Sequence, residues 1–266
     1  MDKLHECLIT LHNLIAPNHY RMVLQSKEIA ISSLPGQFVM LEVSPGYYPF
    51  LRRPMSIERI FSDGISILYK VCGEGTKILS TLSVGERINI QGPLGNSFPI
   101  LKEYSHYLIV AGGIGVAPFP ALVERILKIR DVAPEIILAG KDYNHLLCEK
   151  DFRQMGCKLH LVTEDGSSGH KGLATDILET LNLPDSTLVY TCGPLPMIKN
   201  VHKICEQKKW TCYASLEAEM ACGEGVCLGC VLPAKMEIEN EMMARVCKEG
   251  PVFDTQVILW DKIGEK

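Results

Sequence analysis

The sequence predicts three consecutive units: a small β-barrel, an α/β domain built on a parallel sheet, and a short C-terminal unit organised around cysteines. Three observations predict this order. Residues 1–100 alternate short β-rich runs with turn residues, residues 101–212 alternate strands with helices, and residues 213–266 contain a closely spaced set of cysteines. A chain of 266 residues is longer than one compact domain usually is, so we expect more than one hydrophobic core.

The first unit contains four β-rich runs separated by Pro and Gly turns: Tyr20–Leu24, Gly36–Val43, Ile65–Val71 and Arg87–Ile90. Short strands at this spacing favour a small barrel. The hexapeptide Arg52–Ile57 is predicted to be a loop after the second run. Its arginines are suited to gripping a diphosphate, although solvated surface arginines are also common.

A glycine turn follows the run Ile65–Val71. In Gly73-Glu74-Gly75-Thr76, backbone amides and the Thr76 hydroxyl are placed to hold phosphate oxygens at the start of a helix, which we predict to begin at Ile78 and Leu79. A plain turn capped by Thr76 explains the same residues. The turn alone leaves both interpretations open.

The second unit begins with the strand Leu108–Val110, the glycine turn Gly112-Gly113-Ile114-Gly115 and a helix over Ala121–Ile129. Strands are predicted at 135–139, 158–162 and 188–191, and helices at 173–181 and 196–208. This alternation indicates a parallel sheet. The glycine turn has the strand-to-helix context of a nucleotide site but lacks the G-x-G-x-x-G pattern, so a simple tight turn is the alternative. Cys192-Gly193-Pro194 ends a second strand at the same sheet edge.

The third unit contains Cys222, Cys227 and Cys230 in a C-x4-C-x2-C pattern, followed by Cys247, which is the spacing of a plant-type [2Fe-2S] site. Gly223, Gly225 and Gly229 allow the backbone to fold tightly around the sulfurs. Structural zinc is the alternative, but zinc ribbons favour two C-x2-C pairs and this segment has one.

Cys212 competes with Cys247 as the fourth ligand, although it lies in the predicted strand Trp210–Ala214. The seven cysteines outside the cluster set are expected to be buried thiols. A disulfide framework is disfavoured because the N-terminus does not read as a secretory segment.

Composition excludes several classes of function. A net charge of −4 without a basic stripe argues against nucleic acid as a ligand. The longest apolar stretch, Tyr107–Val123, is broken by glycines and prolines and is shorter than the roughly 20 residues that span a bilayer. We therefore expect a buried strand and turn there, no membrane association and a cytoplasmic location.

The ordered motifs Arg53-Pro54-Met55-Ser56, Gly73–Thr76, Gly112–Gly115 and Cys192–Pro194 resemble the ferredoxin-NADP reductase superfamily. With Ser215-x-Glu217-x-x-Met220-x-Cys222 following them, the resemblance narrows to the electron-transfer subunits of B-type, NAD-dependent dihydroorotate dehydrogenase. It implies a flavin (FAD) domain over 1–100, an NAD domain over 101–212 and a [2Fe-2S] domain over 213–266.

The resemblance also implies site residues, with no catalytic side chain among them. FAD would be bound by Arg53, Pro54, Met55, Ser56, Leu68, Tyr69, Lys70, Gly75 and Thr76. NAD would be bound by Gly112, Gly113, Gly115, Cys192, Gly193 and Pro194. The cluster would be held by Cys222, Cys227, Cys230 and Cys247. The superfamily has an aromatic residue where Met55 stands, which makes Tyr69 a candidate for stacking on the flavin.

The function implied is electron transfer from the FMN of a catalytic dihydroorotate dehydrogenase subunit, through [2Fe-2S] and FAD, to NAD+ in pyrimidine (UMP) biosynthesis. The implied assembly is a heterotetramer of two plus two subunits, with dihydroorotate oxidised on the partner. The alternative is a flavin and iron-sulfur subunit of a ferredoxin-NADP transhydrogenase or a hydrogenase. Asp142, directly after Lys141, favours NAD over NADP.

Overall fold

A computed structural model describes residues 4–44, 46, 48–238 and 241–264. It contains a closed six-stranded barrel, a seven-stranded sheet flanked by helices, and a two-stranded C-terminal hairpin. The predicted fold class is therefore confirmed. In the part of the chain so described, no helix combines the length and the apolar character needed to cross a membrane.

The barrel is antiparallel and closes in the order β1-β2-β5-β4-β3-β6. Its elements are β1 (Leu4–Ala16), β2 (His19–Gln25), α1 (Lys27–Ser32), β3 (Phe38–Leu41), β4 (Arg53–Ile60), β5 (Gly64–Lys70), α2 (Glu74–Leu79) and β6 (Arg87–Leu94). Alternate residues such as Met22, Leu24, Ile65 and Ile67 fill the interior. The residues between them point outward, and on β2, β4 and β5 this outer face meets the second unit.

Three details of the first unit differ from the sequence prediction. Arg53–Ile60 forms strand β4 rather than a loop, because Phe38–Leu41 pairs with it along one side and β5 pairs along the other. The 13-residue strand β1 was not predicted. Helix α2 begins at Glu74 and ends at Leu79, whereas the prediction placed its start at Ile78 and Leu79.

The second unit is a sheet with the order β10-β9-β8-β7-β11-β12-β15, where β15 (Val252–Asp254) comes from the third unit; all neighbours are parallel except β12 and β15. Its elements are β7 (His106–Gly112), α3 (Phe119–Arg130), β8 (Glu135–Gly140), α4 (Glu149–Gln154), β9 (Lys158–Thr163), β10 (His170–Lys171), α5 (Ala174–Thr180), β11 (Thr187–Cys192), α6 (Leu195–Lys208) and β12 (Thr211–Ser215). Strand β12 extends to both sides of residue 212, where the sequence suggested a domain boundary.

The third unit packs against both of the others. After the cysteine loop it contains the hairpin β13 (Val231–Ile238) and β14 (Glu241–Arg245), and then β15 (Val252–Asp254). After β15 the chain continues in 3₁₀ turns as far as Lys262. One apolar cluster joins Met40 and Leu94 on the outer barrel face, Ile198 on α6, and Cys230 and Cys247. The cysteine loop is therefore fixed to the barrel and to the sheet.

The cysteines outside the cluster set are buried in six of the seven cases, as predicted: Cys7, Cys148, Cys157, Cys192, Cys205 and Cys212. Cys72 is exposed, which contradicts the prediction. It lies between the end of β5 and the start of α2, where the turn faces solvent rather than either core.

Candidate functional site

Backbone amides point at three of the four predicted cluster sulfurs. The amide of Glu224 donates to Cys222 Sγ, that of Gly229 to Cys227 Sγ, and that of Cys247 to Cys230 Sγ, each at 3.4 Å. Partial burial raises the pKa of the Cys222 thiol, but hydrogen bonds from backbone amides at Cys227 and Glu224 outweigh this and lower it to about 6. The loop therefore suits thiolates that bind an anionic cluster.

The four sulfurs form two pairs. Cys222 hydrogen-bonds to Cys227, and Cys230 to Cys247. Two pairs of sulfurs match a two-iron cluster with four cysteine ligands, in which each iron is held by two of them.

Positive φ angles allow the loop to turn around these sulfurs. Gly223 has φ +71°, and an added Cβ there would lie 2.9 Å from Met40 Cγ on the barrel. Gly225 has φ +78°, and its carbonyl accepts a hydrogen bond from Arg245 Nη1 at 2.8 Å. Leu228, with φ +55°, adopts the same left-handed conformation without being glycine. The loop is thus held against β3 on one side and β14 on the other.

Cys212 lies away from the other cluster candidates. It is buried in β12, opposite Val189, and its thiol interacts with Cys205 and Thr255. Its apolar neighbours belong to the core beneath α6, not to the cluster of side chains around Cys230 and Cys247. The geometry therefore favours Cys247 as the fourth ligand.

A cavity of about 700 Å³ lies at the carboxyl ends of β7 and β11. Of the predicted NAD residues, it is lined by Gly112, Gly113, Gly115, Gly193 and Pro194. Cys192 is the exception: burial raises the pKa of its thiol, and the side chain is only 2% exposed. The strand ends therefore reach the cavity mainly through backbone.

The glycines of this cavity have two different roles. An added Cβ on Gly115 would lie 2.5 Å from the Gly193 amide, and one on Gly112 would lie 2.7 Å from Met197 Sδ, so these positions pack the two strand ends together. Gly113 has φ +55° and nothing within 4 Å of its added Cβ. Gly113 is therefore the glycine that exposes backbone to a ligand in the cavity.

The predicted FAD residues from α2 and β4 meet at one place. An added Cβ on Gly75 would lie 2.5 Å from Arg53 Nε, and the Arg53 guanidinium also donates to the Leu51 carbonyl. The Thr76 hydroxyl accepts from the amides of Cys72 and Gly73, at 2.9 and 3.1 Å. It therefore orders the turn, and the Arg53 side chain and the α2 amides are the groups left to face a phosphate.

On β4 and β5 the predicted FAD residues point in different directions. Tyr69 lies inside the barrel, where it stacks on Tyr20 and its hydroxyl is 2.8 Å from His12 Nε2. The idea that its ring stacks on flavin is wrong, because the ring is 1% exposed. Leu68 packs outward into the core shared with the sheet. The remaining positions are half-buried or exposed: Pro54, Met55, Ser56 and Lys70.

The cavity includes residues that the sequence did not single out as site residues. Two are histidines: His19 from β2 and His145 from the segment after β8, whose rings meet edge to face at 5.6 Å. A third is Glu217, which lies just after β12. The residue is exposed at the cavity, but the protein around its carboxyl displaces water and raises the pKa. The signal for Glu217 was its place in the Ser215-x-Glu217 motif, whereas the histidines gave none.

Comparison with known proteins gives two family matches. Residues 217–259 match the iron-sulfur cluster binding domain of dihydroorotate dehydrogenase B, and residues 109–203 match the oxidoreductase NAD-binding domain. A relative from Lysinibacillus sphaericus (strain C3-41), named dihydroorotate dehydrogenase B (NAD(+)), electron transfer subunit, is 38% identical over 243 residues, which is 90% of this chain and 92% of the relative. The chain belongs to this family of electron transfer subunits.

A second family member, from Desulforamulus reducens, is 33% identical over 266 residues and carries the same name; the match covers 98% of this chain and 100% of the relative. The fold is similar to that of an NADH-dependent reduced ferredoxin-NADP oxidoreductase, with a TM-score of 0.84 at 24% identity over 96% of this chain and 90% of that one. A ferredoxin reductase of carbazole 1,9a-dioxygenase gives a TM-score of 0.66 at 16% identity, covering 79% and 68%.

Proposed function

We propose that this chain is the electron-transfer subunit of a dihydroorotate dehydrogenase B, which couples dihydroorotate oxidation on a partner subunit to reduction of NAD+ in pyrimidine (UMP) biosynthesis. The observation that carries the proposal is the paired cysteine loop with its amide donors, on the same chain as a glycine-lined cavity of about 700 Å³. The names of the family members support the reaction and the partner.

Cys222 and Cys227 would bind one iron of a [2Fe-2S] cluster, and Cys230 and Cys247 the other. The three amide donors stabilise negative charge on the sulfurs. Cys227 is exposed whereas Cys230 and Cys247 are buried, so one side of the loop faces solvent and a partner protein. Cys230 and Cys247 lie on the opposite side of the loop, in the apolar cluster that also contains Met40 and Leu94 of the barrel.

FAD would lie on the outer face of β4 and β5, with its diphosphate at Arg53 and the Gly75–Thr76 turn. When bound, FAD exchanges a hydride with nicotinamide and single electrons with iron. The protein's part is to bind and orient: Arg53 supplies a charged donor, and Thr76 holds the turn in place. Pro54, Met55, Ser56, Leu68, Tyr69 and Lys70 complete the proposed set, with Tyr69 contributing backbone only.

NAD would enter the cavity with its pyrophosphate at Gly112, Gly113 and Gly115 and its nicotinamide near Cys192, Gly193 and Pro194. Lys70 and Lys141 line the same cavity and offer positive charge. Glu164 also lines it, and its carboxylate would disfavour the additional 2′-phosphate of NADP. This charge distribution supports NAD as the nucleotide.

The partner would be an FMN-containing catalytic subunit, in a cytoplasmic heterotetramer of two plus two chains. Dihydroorotate would bind there and not on this chain. The alternative, service to a ferredoxin-NADP transhydrogenase or a hydrogenase, requires a different partner.

Co-purification at native expression, with mass spectrometry and an orotate-formation assay on the complex, tests the proposal. A dihydroorotate dehydrogenase catalytic subunit and NAD-dependent orotate formation are expected, and NADH should bleach the flavin faster than NADPH. Recovery of a hydrogenase or transhydrogenase subunit without orotate formation would contradict it.

A further inference from the structure

Five charged side chains form a partly buried network where the barrel meets the nucleotide domain. Arg21 on β2 donates to Glu58 on β4 at 2.6 Å and to Asp151 on α4 at 2.8 Å. Arg59 on β4 contacts Glu124 on α3 at 2.6 Å and Asp151 at 2.9 Å. We call Arg21, Glu58, Arg59, Glu124 and Asp151 the interdomain ion network.

The network is well ordered by its hydrogen bonds. Arg21 Nε also donates to both oxygens of Glu58, at 2.9 and 3.0 Å, and Ser66 Oγ donates to Glu58 at 2.9 Å. Glu58 is completely buried, so these donors hold a carboxylate that water does not reach. Asp151 accepts one arginine on each oxygen. Such directional contacts allow little sliding between the elements that carry them.

The acidic groups of this network do not form a metal site. Glu58, Cys148 and Asp151 bring ligand atoms within 4.8 Å of one another, but Arg21 already contacts all three of these groups. Burial lowers the pKa of Arg21, yet its contacts with Glu58 and Asp151 outweigh this and raise it, so it stays charged. The positive charge that the carboxylates need is supplied by arginine.

Three of the ion pairs cross between domains, and they lie next to the nucleotide cavity. His19 and Arg21 are two residues apart on β2 and share its outer face. His145 and Asp151 belong to one segment of the nucleotide domain, joined through Cys148, which begins α4 in a left-handed conformation with φ +61°. The edge-to-face contact of His19 and His145 lines the cavity itself. The network therefore fixes the two walls of the cavity relative to each other.

We propose that the interdomain ion network positions the flavin-binding barrel against the nucleotide domain, so that the nicotinamide reaches the flavin in a reactive geometry. This rests on the proposed function. Arg21, Glu58, Arg59, Glu124 and Asp151 act as positioning residues: they touch neither cofactor but determine the approach between the two. A change in that approach affects hydride transfer more than nucleotide binding, because the glycine turns that hold the pyrophosphate belong to one domain only.

The test uses the full-length holoprotein with Asp151→Asn and Glu124→Gln, alone and combined. The double variant removes the three cross-domain ion pairs and leaves the Arg21–Glu58 pair, which lies within the barrel domain on its outer face. Glu149→Gln is the matched control for Asp151→Asn, because it removes one carboxylate from α4 at an ion pair with Arg153 that stays within one helix. FAD content and the cluster signal are measured first to show that each variant is loaded.

Flavin reduction by NADH is then followed by anaerobic stopped flow. The double variant should show a limiting rate at least about tenfold below that of the control, with a half-saturating NADH concentration changed by less than about threefold, since small misplacements of reactants reduce rates strongly. The limiting rate of each single variant should lie between that of the double variant and that of the control. Amide hydrogen exchange of the holoprotein, measured without NADH, should be faster in β2 and α4 of the double variant only.

Equal limiting rates in the double variant and the control, or equal exchange in β2 and α4, would overturn the positioning role. Loss of NADH affinity without loss of limiting rate would also overturn it. Failure of NADH to reduce the flavin in the unsubstituted protein is a separate result, because it would overturn the proposed function itself.

Discussion

At the scale of single residues, substitutions of cysteine can distinguish cluster ligands from other buried cysteines. Cys230→Ala and Cys247→Ala should each abolish the cluster, because each removes one sulfur of the buried pair. Cys212→Ala is the matched control, since Cys212 is equally buried but lies with Cys205 in a different core. Iron analysis should give about two irons per chain for the control and almost none for the other two. Iron loss in Cys212→Ala with retention in Cys247→Ala would reverse the ligand assignment.

Substitutions of two cavity glycines should affect the stability of the protein and its affinity for NADH differently. Gly115→Ala places a methyl group 2.5 Å from the Gly193 amide, so it should reduce the free energy of unfolding by about 1–3 kcal/mol. Gly113→Ala meets no atom, and its φ of +55° should cost roughly 1–2 kcal/mol, while the methyl group enters the space proposed for NAD. Denaturation and NADH titration measure the two effects. Unchanged NADH affinity in Gly113→Ala would contradict its role.

Glu217 should make stability depend on pH. Burial raises the pKa of its carboxyl in the folded protein above the ordinary value of 4.5, so the folded state holds this proton more tightly than the unfolded state. Stability is therefore lost as the pH rises from 4.5 through the raised pKa. Glu217→Gln should raise Tm at pH 7 and have little effect below pH 4.5. The control is Glu219→Gln, which removes the same charge at a second exposed position two residues along the chain; an equal rise of Tm in both variants would count against desolvation of the Glu217 carboxyl as the cause.

At the scale of elements, the turn before α2 depends on one hydroxyl. Thr76→Val removes the acceptor for the amides of Cys72 and Gly73, so it should destabilise the turn by about 1 kcal/mol and reduce the bound FAD. Thr81→Val is the control, since the exposed Thr81 hydroxyl bonds only to the Ile78 carbonyl beyond this turn. FAD content after gel filtration measures the effect, and full retention in Thr76→Val would contradict it.

Local patterns predicted most of the elements but not their pairing. The cysteine spacing and the strand-glycine-helix pattern are short-range signals, and both describe the structure well. Strand β4 was missed because Arg52-Arg53-Pro54 reads as a loop, whereas β3 and β5 pair with it from both sides. The sequence did not show that the Tyr69 side chain points into the barrel. Which face of β5 is the inner one depends on the register of β5 with β2 and β4.

At the scale of the whole molecule, the barrel lies between the nucleotide cavity and the cysteine loop and contacts both. The cavity is formed jointly, since His19 and Lys70 come from the barrel and the glycine turns from the sheet. The cysteine loop packs on Met40 and Leu94 of the same barrel. These contacts link residues far apart in the sequence, which is why the sequence motifs indicated the sites but not the interdomain ion network between them.

In the proposed function, electrons pass between the nucleotide cavity and the cysteine loop by way of a flavin on the barrel. Anaerobic titration with NADH, followed by EPR of the reduced cluster, tests it most directly when the unsubstituted protein is compared with Arg53→Ala depleted of FAD. NADH should reduce the cluster in the first and not in the second, while dithionite reduces both. Reduction of the cluster by NADH at the same rate in both proteins would contradict the account.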